Sequence, residues 1–274
     1  DEIEFTIGGK NPETTLQERR PEWVRWNDYG IGLLRKGTKG AVRGELVSAI
    51  SAFEEVTKLG KPDGALNKAR ALIRAGRLDD AALALEKASQ HVPPSPQWSL
   101  DWFGSLVNRE NGYYKEALTT LMRLYETQYP GARERGFDFS RDVRLTNEIG
   151  TVHFALARRE RGETLLSALM ISKDWFEKTL VEDPENVVAY WNLAQIHDLM
   201  AATETKDSTS DQKQILNEKA AGYRALHAKY KKDDAARDLA VSAHRAENPP
   251  ANAAAEAIVI YELRPPSESN EREE

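Results

Sequence analysis

The chain of 274 residues contains no cysteine. Disulfides, zinc fingers, iron–sulfur clusters and covalently attached haem are therefore excluded within it. Long hydrophobic runs are missing too. The longest, AIVIYEL at 257–263, falls far short of the ~18 residues of a membrane span. Charge of one sign is in only slight excess, with a formal net charge of −6. Such a chain lacks the basic footprint of a nucleic-acid binder. No G-x-S-x-G occurs, and no Ser–His–Asp or Cys–His arrangement stands out, so nucleophilic catalysis has no support. The five histidines, His91, His153, His197, His227 and His244, offer no i, i+4 pair for a metal. Carboxylate pairs such as Asp79–Asp80 and Glu54–Glu55 fit solvated helix faces. The sequence therefore predicts no enzyme activity, no cofactor and no metal. It opens on Asp1 rather than Met, as a processed or partial chain would.

What is present is helical. Hydrophobic residues make up 40% and charged residues 30%, a soluble balance rich in Ala, Leu, Glu, Lys and Arg. The stretch NKARALIRAGRLDDAALALEKASQHVPP, residues 67–94, carries apolar positions on helical faces, with Gly76 separating two helices. Only EIEFTI at 2–7 and AIVIYEL at 257–263 read as strands, so an extended arm is expected at each end.

One spacing recurs. Ala69, Leu72, Gly76, Ala81, Leu85, Ala88 and Pro93 set it. A small residue lets the first helix approach its partner. Glycine makes the turn, a small alanine marks the helix crossing, and proline stops the second helix. Ser105, Gly112, Ala117, Leu121 and Leu124 repeat the pattern, with Pro130 one residue late. Trp26, Gly30, Leu33 and Gly37 match a first helix, and Ala49, Phe53, Val56 and Pro62 a second, with seven extra residues between. Ile149 and Gly150, then Phe176, Thr179 and Pro184, form a fourth unit with about ten extra residues, nearly three helical turns. Tyr190, Leu193, Ala194 and His197 open a fifth, whose second helix is expected at 217–230 after the polar loop 203–212.

This pattern resembles the tetratricopeptide repeat. The resemblance implies an all-α, right-handed superhelix (a solenoid) of about five helix-turn-helix repeats. The repeats run about 22–62, 63–95, 97–130, 141–185 and 187–232. Residues 1–20 are an arm or cap, 233–264 a capping helix and extended segment, and 265–274 a disordered acidic tail. The glycines of EWVRWNDYGIGLLRKG then read as repeat packing rather than a phosphate loop. Gly30 and Gly32 sit inside the first helix, and Gly37 sits at the turn.

Tetratricopeptide grooves are lined by first helices and bind protein segments. Trp102 and Trp191 fall at a position that often faces the groove, although core packing is the commoner role for an indole. Asn67, Arg70, Arg74, Arg109 and Gln195 would add polar groups. Some such grooves grip a carboxylate terminus, and arginine suits that task, but the full clamp pattern is absent. The candidate groove residues are therefore Asn67, Arg70, Arg74, Trp102, Arg109, Trp191 and Gln195.

A narrower resemblance rests on RWNDYGIGLLRKG (25–37), LNKARALIRAGRLDDAALALEKA (66–88), VVAYWNLAQIHDL (187–199) and LHAKYKKDDAARDLAVSAHRAENPPAN (226–252) in that order. These are similar to the tetratricopeptide region at the C-terminal end of certain bacterial multihaem c-type cytochromes, with DEIEFTIGGK standing where the haem domain would join. The C-x-x-C-H haem motif is absent here, and AIVIYEL stands where that family often has a His-rich tail. The resemblance implies a periplasmic or extracellular scaffold that binds a protein partner, plausibly a multihaem cytochrome. A second expectation is self-assembly into an extracellular fibre, with the two arms adding as strands to neighbouring copies.

Overall fold

The computed structural model describes residues 21–37, 43–203 and 209–231, together with Glu247. Both expected arms, the acidic tail and, apart from Glu247, the capping segment lie outside the described residues. Two compact units meet in sequence between Ser95 and Pro96.

The first unit contains α1 (Glu22–Gly37), α2 (Arg43–Lys58), α3 (Pro62–Arg74) and α4 (Leu78–Gln90). Helices α1 and α2 pair, as do α3 and α4, and α2 also packs on α3. Helix α3 starts with proline at its first position, where the missing N–H costs nothing. It ends before Gly76, whose φ of +71° is a left-handed turn conformation that favours glycine. Ala69, Ala81 and Ala88 are fully buried, as the close crossing of α3 and α4 requires.

The second unit contains α5 (Gln97–Glu110), α6 (Tyr114–Glu126), a short α7 (Pro130–Arg133), a 3-10 turn at Phe139–Arg141, α8 (Val143–Ala157), α9 (Gly162–Glu182), α10 (Val187–Ala202) and α11 (Ser210–Tyr230). Three helix pairs form it, α5 with α6, α8 with α9 and α10 with α11. Five helix-turn-helix pairs thus occur among the described residues, two in the first unit and three in the second. The described residues are all-α, and no helix among them is long and apolar enough to cross a membrane.

Two pairs share a device that explains their glycines. A Cβ on Gly30 would stand 2.6 Å from Phe53 Cε1, and one on Gly150 would stand 2.9 Å from Phe176 Cζ. In each pair a phenylalanine of the second helix presses its ring onto a glycine of the first. Gly32 differs. A Cβ there would meet nothing within 4 Å, so it is no packing site. Trp26 is buried against Ala52 and Val56, with Tyr29 beside it. Trp23 lies beneath the Lys61 ammonium, 5.3 Å from its ring centre.

Three details depart from the sequence reading. The ten extra residues of the fourth repeat form no loop; they lengthen α9 to 21 residues, with Leu165 and Leu169 buried on it. Helix α11 begins at Ser210 rather than near 217, because Thr209 and Gln212 form a reciprocal capping box. Pro130 does not end α6, which stops at Glu126; it opens α7 instead. The long connection from α6 to α8 is fastened by rings. Trp98, Tyr129, Phe139 and Phe137 contact one another in sequence, edge to face, at 5.7, 5.5 and 4.9 Å. Asp101, almost fully buried on α5, ties the same corner. It accepts from Gln97 at 2.7 Å, from two nitrogens of Arg123 at 2.6 and 3.1 Å and from Tyr129 Oη at 3.4 Å. Asp101 is the largest influence on Arg123, whose pKa it raises.

Candidate functional site

The candidate groove residues fall into two sets, one in each unit. In the first unit, Asn67, Arg70 and Arg74 lie on α3. Asn67 Nδ2 donates to Asn27 Oδ1 at 2.9 Å, joining the first helices of two repeats. Arg70 and Arg74 are exposed. The same unit has a cleft of about 200 Å³ among α2, α3 and α4. Four of its charges are paired within the chain, Lys68 with Glu54 and Arg77 with Asp80.

In the second unit, Trp102 and Arg109 lie on α5, and Trp191 and Gln195 on α10. Trp102 is only partly buried and packs against the core of Ala117, Leu121 and Leu124. Trp191 is 49% exposed, an unusual state for so large an indole. It stands 5.3 Å from the ring of His227, whose Nδ1 is 2.9 Å from Val187 O. Gln195 is half-buried, one turn along from Trp191.

Between these helices in sequence order lies α8, which the sequence reading left out of the site. Trp102, Asn147 and Trp191 each stand three residues before the small packing residue of their helix, namely Ser105, Gly150 and Ala194. They are thus equivalent positions on three successive first helices. That register was available in the sequence and would have singled out Asn147. Its Nδ2 donates to Asn186 Oδ1 at 3.1 Å. The Asn186 oxygen also accepts from Ala189 N at 2.9 Å, so Asn147 must offer its amide nitrogen there. Asn147 Oδ1 is consequently turned away from Asn186, buried and without a hydrogen bond.

Arg109 is not poised for a carboxylate ligand, because two carboxylates of the chain already face it. It donates to Glu110 at 2.6 Å, and its Nε lies 3.2 Å from Glu148 Oε2. The second approach has ion-pair distance but not hydrogen-bond geometry, and both atoms are buried. Burial pushes the Glu148 carboxyl above its ordinary range. Arg109 opposes the shift, and Glu110 adds to it.

Among the described residues no group of His, Asp and Glu could hold a metal ion. His153 and His197, at matching positions of α8 and α10, are both held below the ordinary histidine range by burial. His197 Nδ1 lies 2.8 Å from Leu193 O and its ring 5.2 Å from that of Tyr223. The role of His197 is packing.

No family model matches the chain. No curated protein matches it. Solved structures do. MamA from Desulfovibrio magneticus RS-1, residues 41 to the end, superposes with a TM-score of 0.53 at 14% identity, covering 78% of this chain and 99% of its own. MamA of MSR-1 gives 0.47 at 16% identity, covering 74% and 97%. The first likeness shows a shared helical-repeat fold and nothing of function.

Proposed function

We propose that the chain is a non-catalytic scaffold whose second unit binds an extended segment of a partner protein along its first helices. The observation that carries this reading is the row Trp102, Asn147 and Trp191 at equivalent positions of α5, α8 and α10. It combines a half-exposed indole with a buried amide oxygen that has no partner. Exposed indoles are frequent anchors of protein interfaces. Helix α6 packs on both α5 and α8, and α8 on α10, which holds the row preorganised and lowers the cost of binding.

On the narrower resemblance, the partner is a subunit of an exported redox assembly, with a multihaem cytochrome the first to be tried. Self-assembly through the arms at 2–7 and 257–263 is the competing reading, and those residues lie outside the described structure. A direct test is binding of the purified chain to short peptide pools, read by fluorescence polarisation. Trp102→Ala and Trp191→Ala should each weaken binding while the helical circular dichroism is kept. If both variants bind as wild type does, or if both lose their fold, the indoles are packing residues and the reading fails.

A further inference from the structure

We propose that the second unit's inner helices select a segment bearing a lysine or arginine, whose charged group seats at Glu148 and Asn147. This rests on the docking reading above and specifies its ligand. It runs opposite to the grip on a carboxylate terminus that some tetratricopeptide grooves use.

The charges on α5, α8 and α10 can be followed one by one. Asp101 is held by Arg123 at 2.6 Å, Arg144 by Asp142 at 3.3 Å and Asp198 by Arg224 at 2.5 Å. What remains is Arg109, Glu110 and Glu148. One guanidinium serves two carboxylates, leaving one negative charge in excess. The guanidinium's hydrogen bond goes to Glu110. Glu148 receives the ion-pair approach at 3.2 Å and accepts no hydrogen bond from the described residues.

Glu148 Oε2 is buried 3.2 Å from Arg109 Nε without hydrogen-bond geometry to it, and a buried carboxylate oxygen left so is expensive to desolvate. Its neighbour in sequence, Asn147, is only 9% exposed and leaves its Oδ1 without a donor. Two acceptors on consecutive residues of α8 thus lack a well-formed hydrogen bond, on helices whose remaining charges leave one negative charge in excess. A lysine ammonium brings three donors and a guanidinium five, and neither brings an acceptor. A carboxylate ligand would bring only acceptors and like charge. Trp102 and Trp191, at the equivalent position on the helices before and after, suit the apolar stem of such a side chain and favour its cation.

The test uses the full chain and fluorescein-labelled peptide pools. The pools are randomised among uncharged residues around a fixed centre of Lys, Arg, norleucine or Glu. The Lys and Arg pools should bind about tenfold more tightly than the norleucine pool, as a charge-assisted hydrogen bond implies. The Glu pool should bind most weakly. Glu148→Gln, which keeps shape and removes charge, should bring the Lys, Arg and norleucine pools to equal affinity. Equal binding of Lys, norleucine and Glu pools overturns this inference alone, and so does a preference that survives Glu148→Gln. Failure of every pool to bind the folded wild-type chain overturns the docking reading itself and this inference with it.

Discussion

Two glycines on one helix should respond to alanine with opposite signs. Gly30 and Gly32 are two residues apart on α1, and both look alike in sequence. Alanine at position 30 would place its Cβ 2.6 Å from Phe53 Cε1 and 2.9 Å from Cδ1 and Cζ. The Phe53 ring is fully buried with Leu34, Ala49 and Ala71, so it has no space into which to turn. Overpacking of this kind costs about 1–3 kcal/mol. Replacing a mid-helix glycine by alanine returns about 0.5–1 kcal/mol. Gly30→Ala should therefore lose about 1–2 kcal/mol net. At position 32 the same Cβ meets nothing within 4 Å, so only the propensity gain of about 0.5–1 kcal/mol remains. Urea unfolding followed by circular dichroism measures both, with constant m-values as the check. Phe53→Leu in the Gly30→Ala background should show favourable coupling, because the ring is the clashing group. Wild-type or higher stability for Gly30→Ala, or a loss for Gly32→Ala, would refute the packing argument.

Burial also gives pH and charge predictions. The folded-state pKa of His197 lies below the ordinary histidine value, with burial the first cause. The unfolded chain therefore binds protons more readily, and stability should fall as pH drops below about 6.5 toward the folded value. Urea midpoints between neutral and mildly acidic pH should show this slope, and His197→Gln should flatten it; an unchanged slope would mean His197 is not the titrating group. His153, shifted in the same direction by burial, retains its own share. Asp101→Ala should cost about 2 kcal/mol, because the buried acceptor of Gln97, Arg123 and Tyr129 is lost. Thermal unfolding would expose that loss, and an unchanged midpoint would mean the corner is held by its rings alone.

The repeat was legible because packing rules recur along it. The spacing from Ala69 to Pro93 depends on close approach, a left-handed turn and a helix stop, all local chemistry. Helix lengths were less legible. The surplus residues of the fourth repeat look like an insertion, yet Leu165 and Leu169 give them a face to bury, so α9 lengthens. Gly30 and Gly32 could not be told apart, since the difference is where Phe53 arrives from another helix. The site suffered most from this limit. Arg109 reads as an available cation until Glu148 is placed beside it. Asn147 and Glu148 read as ordinary helix-surface polarity until their burial and missing hydrogen bonds are known. The register three residues before each small packing residue was the signal that would have linked Asn147 to the two tryptophans.

A partner segment is proposed to lie along the first helices of the second unit. Hydrogen–deuterium exchange on the full chain, with and without a saturating Lys-centred peptide pool, tests it most directly. Added protection is predicted within Gln97–Glu110, Val143–Ala157 and Val187–Ala202, while Tyr114–Glu126 and Gly162–Glu182 stay unchanged. Protection confined to the second helices, or none at all with peptide bound, would contradict it.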